Sequence, residues 1–150
     1  DGNNVAHSLM LAGSVAGLDL RVATPAELAP SAALVETSRS LLPPGGRLLI
    51  TTDPQVAVTG ARAVYTDVWV SMGREDDAER RRQLLAPYRV DEELLAAAAD
   101  DAVALHCLPA HPDEEISASV LYGPRSAVWD QAENRLHAQK ALLELLIEGV

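Results

Sequence analysis

The chain has 150 residues, a formal net charge of −10 and one cysteine, and 48% of its residues are hydrophobic. This length suits a single domain with a sizeable core, and the acidic balance disfavours nucleic-acid binding because the domain would repel phosphate backbones. One cysteine excludes an internal disulfide and is typical of a reducing compartment. The sequence shows no signal peptide and no apolar run near the ~20 residues that span a bilayer, which predicts a cytoplasmic protein that binds neither nucleic acid nor membrane.

Helix and strand patterns alternate along the chain. In chain order we predict a helix over 4–16, a strand over 18–23, a helix over 31–42, a strand over 47–51, a short helix over 53–59 and a strand over 63–66. Next come a charged helix that Pro87 ends, a helix over 90–99, a strand over 102–106 and a strand over 126–129. The last element is a long helix that Asp130 and Glu133 cap and that runs to about residue 148. Gly17 is placed to end the first helix, residues 24–27 have capping-box spacing, and the charged run 74–82 is interpreted as a solvated helix face. Strands that alternate with helices imply βαβ units, so we predict an α/β fold: a doubly wound parallel sheet with helices on both faces and a long C-terminal helix.

Two short stretches carry chemically unusual residues where a predicted strand ends: Asp-Val-Trp-Val-Ser-Met-Gly at 67–73 and His-Cys-Leu-Pro at 106–109. Ligands of open α/β sheets bind beyond the carboxyl ends of the strands. Asp67 could pair with a ligand ammonium group, while the Ser71 hydroxyl and the turn amides from Met72 onward could hold an anion. Such a loop could bind both ends of an amino acid. The residues alone leave open the alternative that this loop satisfies only its own backbone.

The thiol of Cys107 has three possible roles on sequence grounds. A zinc site with His106 and His111 is disfavoured, because neighbouring strand residues point to opposite faces and a structural zinc needs four ligands. The thiol could instead be a nucleophile that a histidine activates. It could also be a buried, inert cysteine.

Polar residues near two predicted helix starts are further candidates. Of Asn3 and Asn4, one is expected to cap the first helix, while the other could donate its amide to a ligand carboxylate. Arg135 lies in the second turn of the last helix, where it could contact a phosphate or carbonyl group. The alternative for Arg135 is a surface or ion-paired arginine.

Taken together, four segments resemble the ornithine carbamoyltransferase family, in the family's order and at its spacing: 1–4, 67–73, 106–109 and 130–135. The resemblance covers essentially the whole chain but only the second half of the family's protein. The Ser-Met-Gly part of the second segment is the specific feature, since relatives that act on aspartate, putrescine or acetylornithine carry other residues there. His-Cys-Leu-Pro is shared somewhat more widely.

The resemblance implies a role for each matching residue. Cys107 would face the reacting δ-amine of ornithine, as the candidate proton acceptor or orienter. The backbone carbonyls of Cys107 and Leu108 would line the carbamoyl phosphate site, and Arg135 would reach carbamoyl phosphate from the last helix. The α-amino and α-carboxylate groups of L-ornithine would be bound by Asn4, Asp67, Ser71 and Met72.

The resemblance also implies an activity and partners. The enzyme would transfer the carbamoyl group of carbamoyl phosphate to L-ornithine, giving L-citrulline and phosphate in arginine metabolism, as a homotrimer or an assembly of trimers without metal or organic cofactor. Residues 1–150 would be the ornithine-binding domain, without the N-terminal carbamoyl phosphate domain and the first strand of their own sheet. The isolated domain is then expected to be inactive. Two rivals remain: a carbamoyltransferase with another amine acceptor, and a non-catalytic amino-acid-binding module.

Overall fold

The computed structural model describes residues 1–70 and 75–149, without the side chain of Glu75. Its strands are β1 (Asp19–Ala23), β2 (Arg47–Thr51), β3 (Ala63–Thr66) and β4 (Val103–His106). Its α-helices are α1 (Asn4–Val15), α2 (Ala32–Ser40), α3 (Pro54–Val58), α4 (Ala78–Leu85), α5 (Glu92–Ala96), α6 (Ala118–Leu121) and α7 (Val128–Glu148). Parallel strands surrounded by helices, with a long C-terminal helix, confirm the predicted α/β class. Within the described ranges, no helix is long and apolar enough to cross a membrane.

The strands form two parallel pairs, β1 with β2 and β3 with β4. Each pair is joined by a helical crossover, as parallel strands require. Thr66 lies opposite His106 at the end of the second pair. Because both strands run in the same direction, the residues that follow them leave the sheet at the same edge.

The two clusters that form the core consist of aliphatic side chains, in a chain without phenylalanine. A small cluster of Met10, Val35 and Leu48 packs α1 and α2 against the first strand pair. A larger cluster packs around the second pair, and Ala104 at its centre is fully buried. This larger cluster therefore anchors the strand ends that carry the candidate site.

One local prediction at a helix start is wrong. Thr24 does not form a capping box: its hydroxyl donates to the carbonyl of Leu28 at 3.1 Å, and a short 3₁₀ turn (Ala26–Leu28) follows Pro25. Pro25 precedes this turn with an extended ψ of 144°, and the turn covers only three residues, so Thr24 is one residue too early to cap it. Gly17, by contrast, ends α1 as predicted, with a φ of 71°.

The predicted strand over 126–129 is also wrong. Ser126 forms only an isolated parallel bridge with Ala104, and α7 begins at Val128. Val128 is fully buried, so the apolar residues that suggested a strand are the first turn of an amphipathic helix. Asp130 therefore lies inside the first turn, where a carboxylate favours the helix dipole, and does not cap the helix.

From Leu136 onward, α7 carries an exposed apolar face. Five leucines along it are between 55% and 70% exposed: Leu136, Leu142, Leu143, Leu145 and Leu146. Isolated exposed leucines are ordinary, but a contiguous helical face of this kind indicates a contact surface.

Candidate active site

The two unusual stretches meet at the carboxyl ends of β3 and β4. The Cys107 thiol donates a hydrogen bond to Asp67 Oδ1, with Sγ and Oδ1 2.9 Å apart. The same oxygen accepts the Val68 backbone N–H at 2.7 Å, which fixes the carboxylate at the strand end. Sequence separation between the two side chains is 40 residues, so parallel pairing of the strands brings them together.

The environment of Cys107 holds its thiol protonated. Burial raises the pKa of this thiol first, and the hydrogen bond to Asp67 and the negative charge of that carboxylate raise it further, to about 12. At neutral pH the sulfur therefore carries a proton and donates it towards Asp67. In this state Cys107 can orient a ligand amine, whereas a neutral thiol is a poor proton acceptor or nucleophile.

Removing the charge of Asp67 should make the thiol more reactive. Asp67→Asn is expected to lower the pKa of Cys107, which raises the thiolate fraction at pH 8 about tenfold for each unit of pKa lost and so speeds alkylation by iodoacetamide. Mass spectrometry of the Cys107 peptide measures this rate. Asp101→Asn, which changes an exposed carboxylate paired with Arg62, is the matched control. An Asp67→Asn rate equal to that of the wild type would contradict this account of the thiol.

His106 supports the loop that follows it and does not activate Cys107. Its Nδ1 accepts the backbone N–H of Leu108 at 2.8 Å, and its Nε2 lies 3.0 Å from Oε1 of Glu115. Both ring nitrogens are thus engaged away from the thiol. An acceptor at Nδ1 requires the hydrogen at Nε2, so this N–H donates to Glu115. Both side chains are fully buried.

The loop that His106 supports has an unusual backbone. Leu108 has a φ of 58°, a left-handed conformation that a leucine rarely adopts, and the Leu108–Pro109 peptide bond is cis. A positive φ at a bulky residue persists when the surrounding structure holds it there. The Leu108 N–H bond to His106 and the Glu115 contact behind it supply that support. The His106–Glu115 pair therefore fixes the backbone beside Cys107.

A glutamine from α7 forms hydrogen bonds to residues at the same strand ends. Oε1 of Gln131 accepts the His106 backbone N–H at 3.0 Å, and Nε2 of Gln131 donates to the Tyr65 hydroxyl at 3.0 Å. Because a backbone N–H can only donate, the orientation of the amide follows from chemistry. The Tyr65 hydroxyl also acts on Cys107: it lowers the pKa of the thiol, against the larger upward effects of burial and Asp67. Sequence reasoning missed Gln131, since only the fold brings it to β3 and β4.

The charged run 74–82 contains a residue that contradicts its interpretation as a solvated face. Arg81 is only 3% exposed. Its Nε donates to the backbone carbonyl of Trp69 at 2.6 Å, and its Nη2 bonds the Asp1 carboxylate. The interpretation does hold for Arg80 and Arg82, whose side chains are 61% and 44% exposed. Charge and periodicity alone do not separate the buried arginine from its neighbours.

The other sequence-predicted residues are distributed as follows. Asn3 occupies the cap position of α1 without a side-chain hydrogen bond, while Oδ1 of Asn4 accepts the Val5 N–H at 2.9 Å. Arg135 is exposed on α7. Ser71 and Met72 lie outside the described residues.

One group of side chains has the composition of a metal site. Ligand atoms of His111, Glu114 and Glu115 lie within 4.8 Å of one another, the single such cluster in the described part of the chain. The guanidinium of Arg82 already bonds Glu114 at 3.2 Å, and Oε1 of Glu115 accepts from His106 and His111. Protein partners therefore account for Glu114 and for Oε1 of Glu115, whereas the buried Oε2 of Glu115 has no hydrogen-bond partner among the described residues.

The fold and its polar strand ends define an α/β ligand-binding domain with a carboxylate and a thiol side by side at the sheet edge. A family model described as "Aspartate/ornithine carbamoyltransferase, Asp/Orn binding domain" matches residues 1–146. The chain therefore belongs to the aspartate/ornithine carbamoyltransferase family, as the resemblance in the sequence implied.

Individual relatives agree with this assignment. The chain is 52% identical over 147 residues to an ornithine carbamoyltransferase of Synechocystis sp., covering 98% of this chain and 48% of the relative. It is 54% identical over 150 residues to one of Acidothermus cellulolyticus, with 99% and 48% coverage. Among solved structures, ornithine carbamoyltransferase from Pyrococcus furiosus matches with a TM-score of 0.93 and 48% identity, over 100% of this chain and 48% of that one. The chain thus spans about half the length of the curated relatives it matches.

Proposed function

We propose that the complete protein is an ornithine carbamoyltransferase, and that residues 1–150 form its ornithine-binding domain. The reaction transfers the carbamoyl group of carbamoyl phosphate to the δ-amine of L-ornithine and yields L-citrulline and phosphate, in arginine metabolism. The observation that carries the proposal is the contact between Asp67 and Cys107 at the strand ends, in a chain of this family.

The reaction needs a neutral amine held against a carbonyl carbon. A nitrogen–carbon bond forms, the bond from that carbon to the phosphate oxygen breaks, and phosphate leaves with the electron pair. An alkylammonium has a pKa near ~10, so the amine must lose a proton before it attacks. Because Cys107 keeps its own proton, we assign it the orienting role at the δ-amine, and the amine's proton leaves by another acceptor.

Binding of the two substrates is divided among the remaining residues. Asp67 offers a carboxylate to the α-ammonium group of ornithine, and Leu108 and Arg135 contribute to the carbamoyl phosphate site. The α-amino and α-carboxylate groups are further bound by Asn4, Ser71 and Met72. The geometry of Asp67 supports this division: its Oδ1 accepts hydrogen bonds from the Val68 N–H and the Cys107 thiol, which fix the orientation of the carboxylate.

We further propose that a carbamoyl phosphate domain precedes this domain in the complete protein. Three observations support it. The relatives are about twice as long, and the leucine face of α7 is exposed. The two strand pairs share no hydrogen-bonded ladder among the described residues, as expected where an inner strand is supplied by the preceding segment. The complete enzyme is proposed to be a cytoplasmic homotrimer or an assembly of trimers, with no metal or organic cofactor.

Turnover by the complete enzyme tests this function. The full-length protein is expected to form citrulline from ornithine and carbamoyl phosphate, and residues 1–150 alone are expected to form none. The colorimetric citrulline assay measures both. Turnover with another amine but not with ornithine would overturn the substrate assignment. Ornithine binding without turnover by the full-length protein would favour the non-catalytic module instead.

A further inference from the structure

We propose that Arg81 is a positioning residue that holds the two ornithine-binding segments of the site, 1–4 and 67–70, in register with each other. The inference rests on the proposed function and adds a residue from outside the four segments that match the family pattern. Its basis is a single buried guanidinium that bonds one group on each segment.

Burial distinguishes Arg81 from the rest of its charged run. The Arg81 side chain is 4% exposed, whereas that of Arg80, one residue earlier on α4, is 61% exposed. A buried charge is tolerated only when it is paired and hydrogen-bonded. The buried guanidinium of Arg81 therefore depends on the protein groups that bond it, and those groups indicate its role.

The two partners of Arg81 lie next to proposed ornithine ligands. Nη2 bonds the carboxylate of Asp1, three residues before Asn4, and that carboxylate is itself only 15% exposed. Nε donates to the carbonyl of Trp69, two residues after Asp67. Sequence separations of 80 and 12 residues make these contacts tertiary. One planar group thus connects the loop before α1 to the loop after β3.

A guanidinium suits this role better than an ammonium group. Arginine presents donors in a rigid planar fork, so Nε and Nη2 can reach partners in two fixed directions at once. A lysine at position 81 keeps the positive charge beside Asp1 but lacks a second donor in a fixed direction for the Trp69 carbonyl. Position 81 therefore sets the spacing between Asn4 and Asp67, and with it the distance between the groups that receive the α-carbon end of ornithine.

Steady-state kinetics of the complete enzyme test the proposal. Arg81→Gln is expected to raise KM for ornithine about 10- to 100-fold, since displacement of binding groups by about 1 Å costs this much. The kcat and the KM for carbamoyl phosphate should stay within about threefold of the wild type, because the defect concerns binding of one substrate. Arg81→Lys should give an intermediate KM for ornithine. Arg80→Gln, which removes an exposed pair with Glu27, is the matched control and should behave as the wild type.

Equilibrium binding separates positioning from a general loss of structure. L-Norvaline carries the α-amino and α-carboxylate groups of ornithine without the reacting amine. Its Kd in calorimetry, in the presence of carbamoyl phosphate, should rise in Arg81→Gln by the same factor as KM. If Arg81→Gln does not fold, Arg81→Lys supplies the same comparison.

The outcomes distinguish this proposal from the function itself. Wild-type ornithine kinetics in both Arg81 variants would overturn it, as would a parallel loss of kcat and of affinity for both substrates. A wild-type enzyme that forms no citrulline would overturn the function, and this proposal with it. If the wild-type enzyme forms citrulline and the Arg81 variants have the same ornithine kinetics, the proposed function stands and only the role of Arg81 is overturned.

Discussion

Replacing Glu115 with alanine in the complete enzyme is expected to lower its free energy of unfolding by about 2–5 kcal/mol, the range for removing one partner of a buried charged hydrogen-bonded pair. The Glu115 carboxylate is fully buried and accepts from His106 Nε2 at 3.0 Å and from the His111 backbone N–H at 2.6 Å. Alanine leaves both donors without this acceptor. Urea unfolding monitored by circular dichroism measures the loss.

Two further variants show whether the loss comes from these hydrogen bonds. Glu115→Gln keeps an oxygen acceptor of the same shape and should recover a large part of the stability. Glu114→Ala changes the neighbouring glutamate, which is 35% exposed and pairs with Arg82, and should cost less than about 1 kcal/mol. Equal losses of unfolding free energy in Glu114→Ala and Glu115→Ala would show that the buried hydrogen bonds contribute no more to stability than the partly exposed pair.

The effect of Glu115 should extend to activity through the backbone beside Cys107. Glu115 fixes the hydrogen of His106 at Nε2, which leaves Nδ1 to accept the Leu108 N–H. Without that carboxylate, the imidazole can take the other tautomer and lose the bond to Leu108. The loop then loses a hydrogen bond that holds Leu108 in its left-handed conformation. Stability and activity are therefore coupled at one buried pair.

Much of the fold could be predicted from the sequence because its determinants are local. The strands β2 and β3 have the predicted bounds, since short β-branched and leucine runs are flanked by glycine or proline. The error at 126–129 has a physical origin, because a short apolar run does not distinguish a buried strand from the first turn of a buried helix. Tertiary burial of Val128 against β4 decides between them.

The candidate site was predictable only in part for the same reason. Asp67 and Cys107 follow strands directly, so parallel topology was enough to place them together. Arg81 and Gln131 act across separations of 80 and 66 residues, and no local pattern assigns either side chain its partners. Residues that hold a site in place are thus less visible in a sequence than residues that border it. In this chain Arg81 and Gln131 come from α4 and α7, while the proposed ornithine ligands come from the segments after the strands and from the start of α1.

Replacing Cys107 with alanine should separate the two roles that the sequence left open for its thiol. If the sulfur were the proton acceptor, the variant would change the pH dependence of kcat. Because burial and Asp67 raise the pKa of the thiol to about 12, it stays protonated across the assay range, and its removal should leave the shape of the profile between pH 6 and pH 9 unchanged. The loss of orientation should instead lower kcat about 10²-fold or more at every pH. Cys107→Ser, which keeps a donor towards Asp67 and an acceptor for the amine, should recover part of this loss. Full turnover in Cys107→Ala would exclude the thiol from the reaction, whereas a low kcat with a shifted profile would identify the sulfur as the proton acceptor.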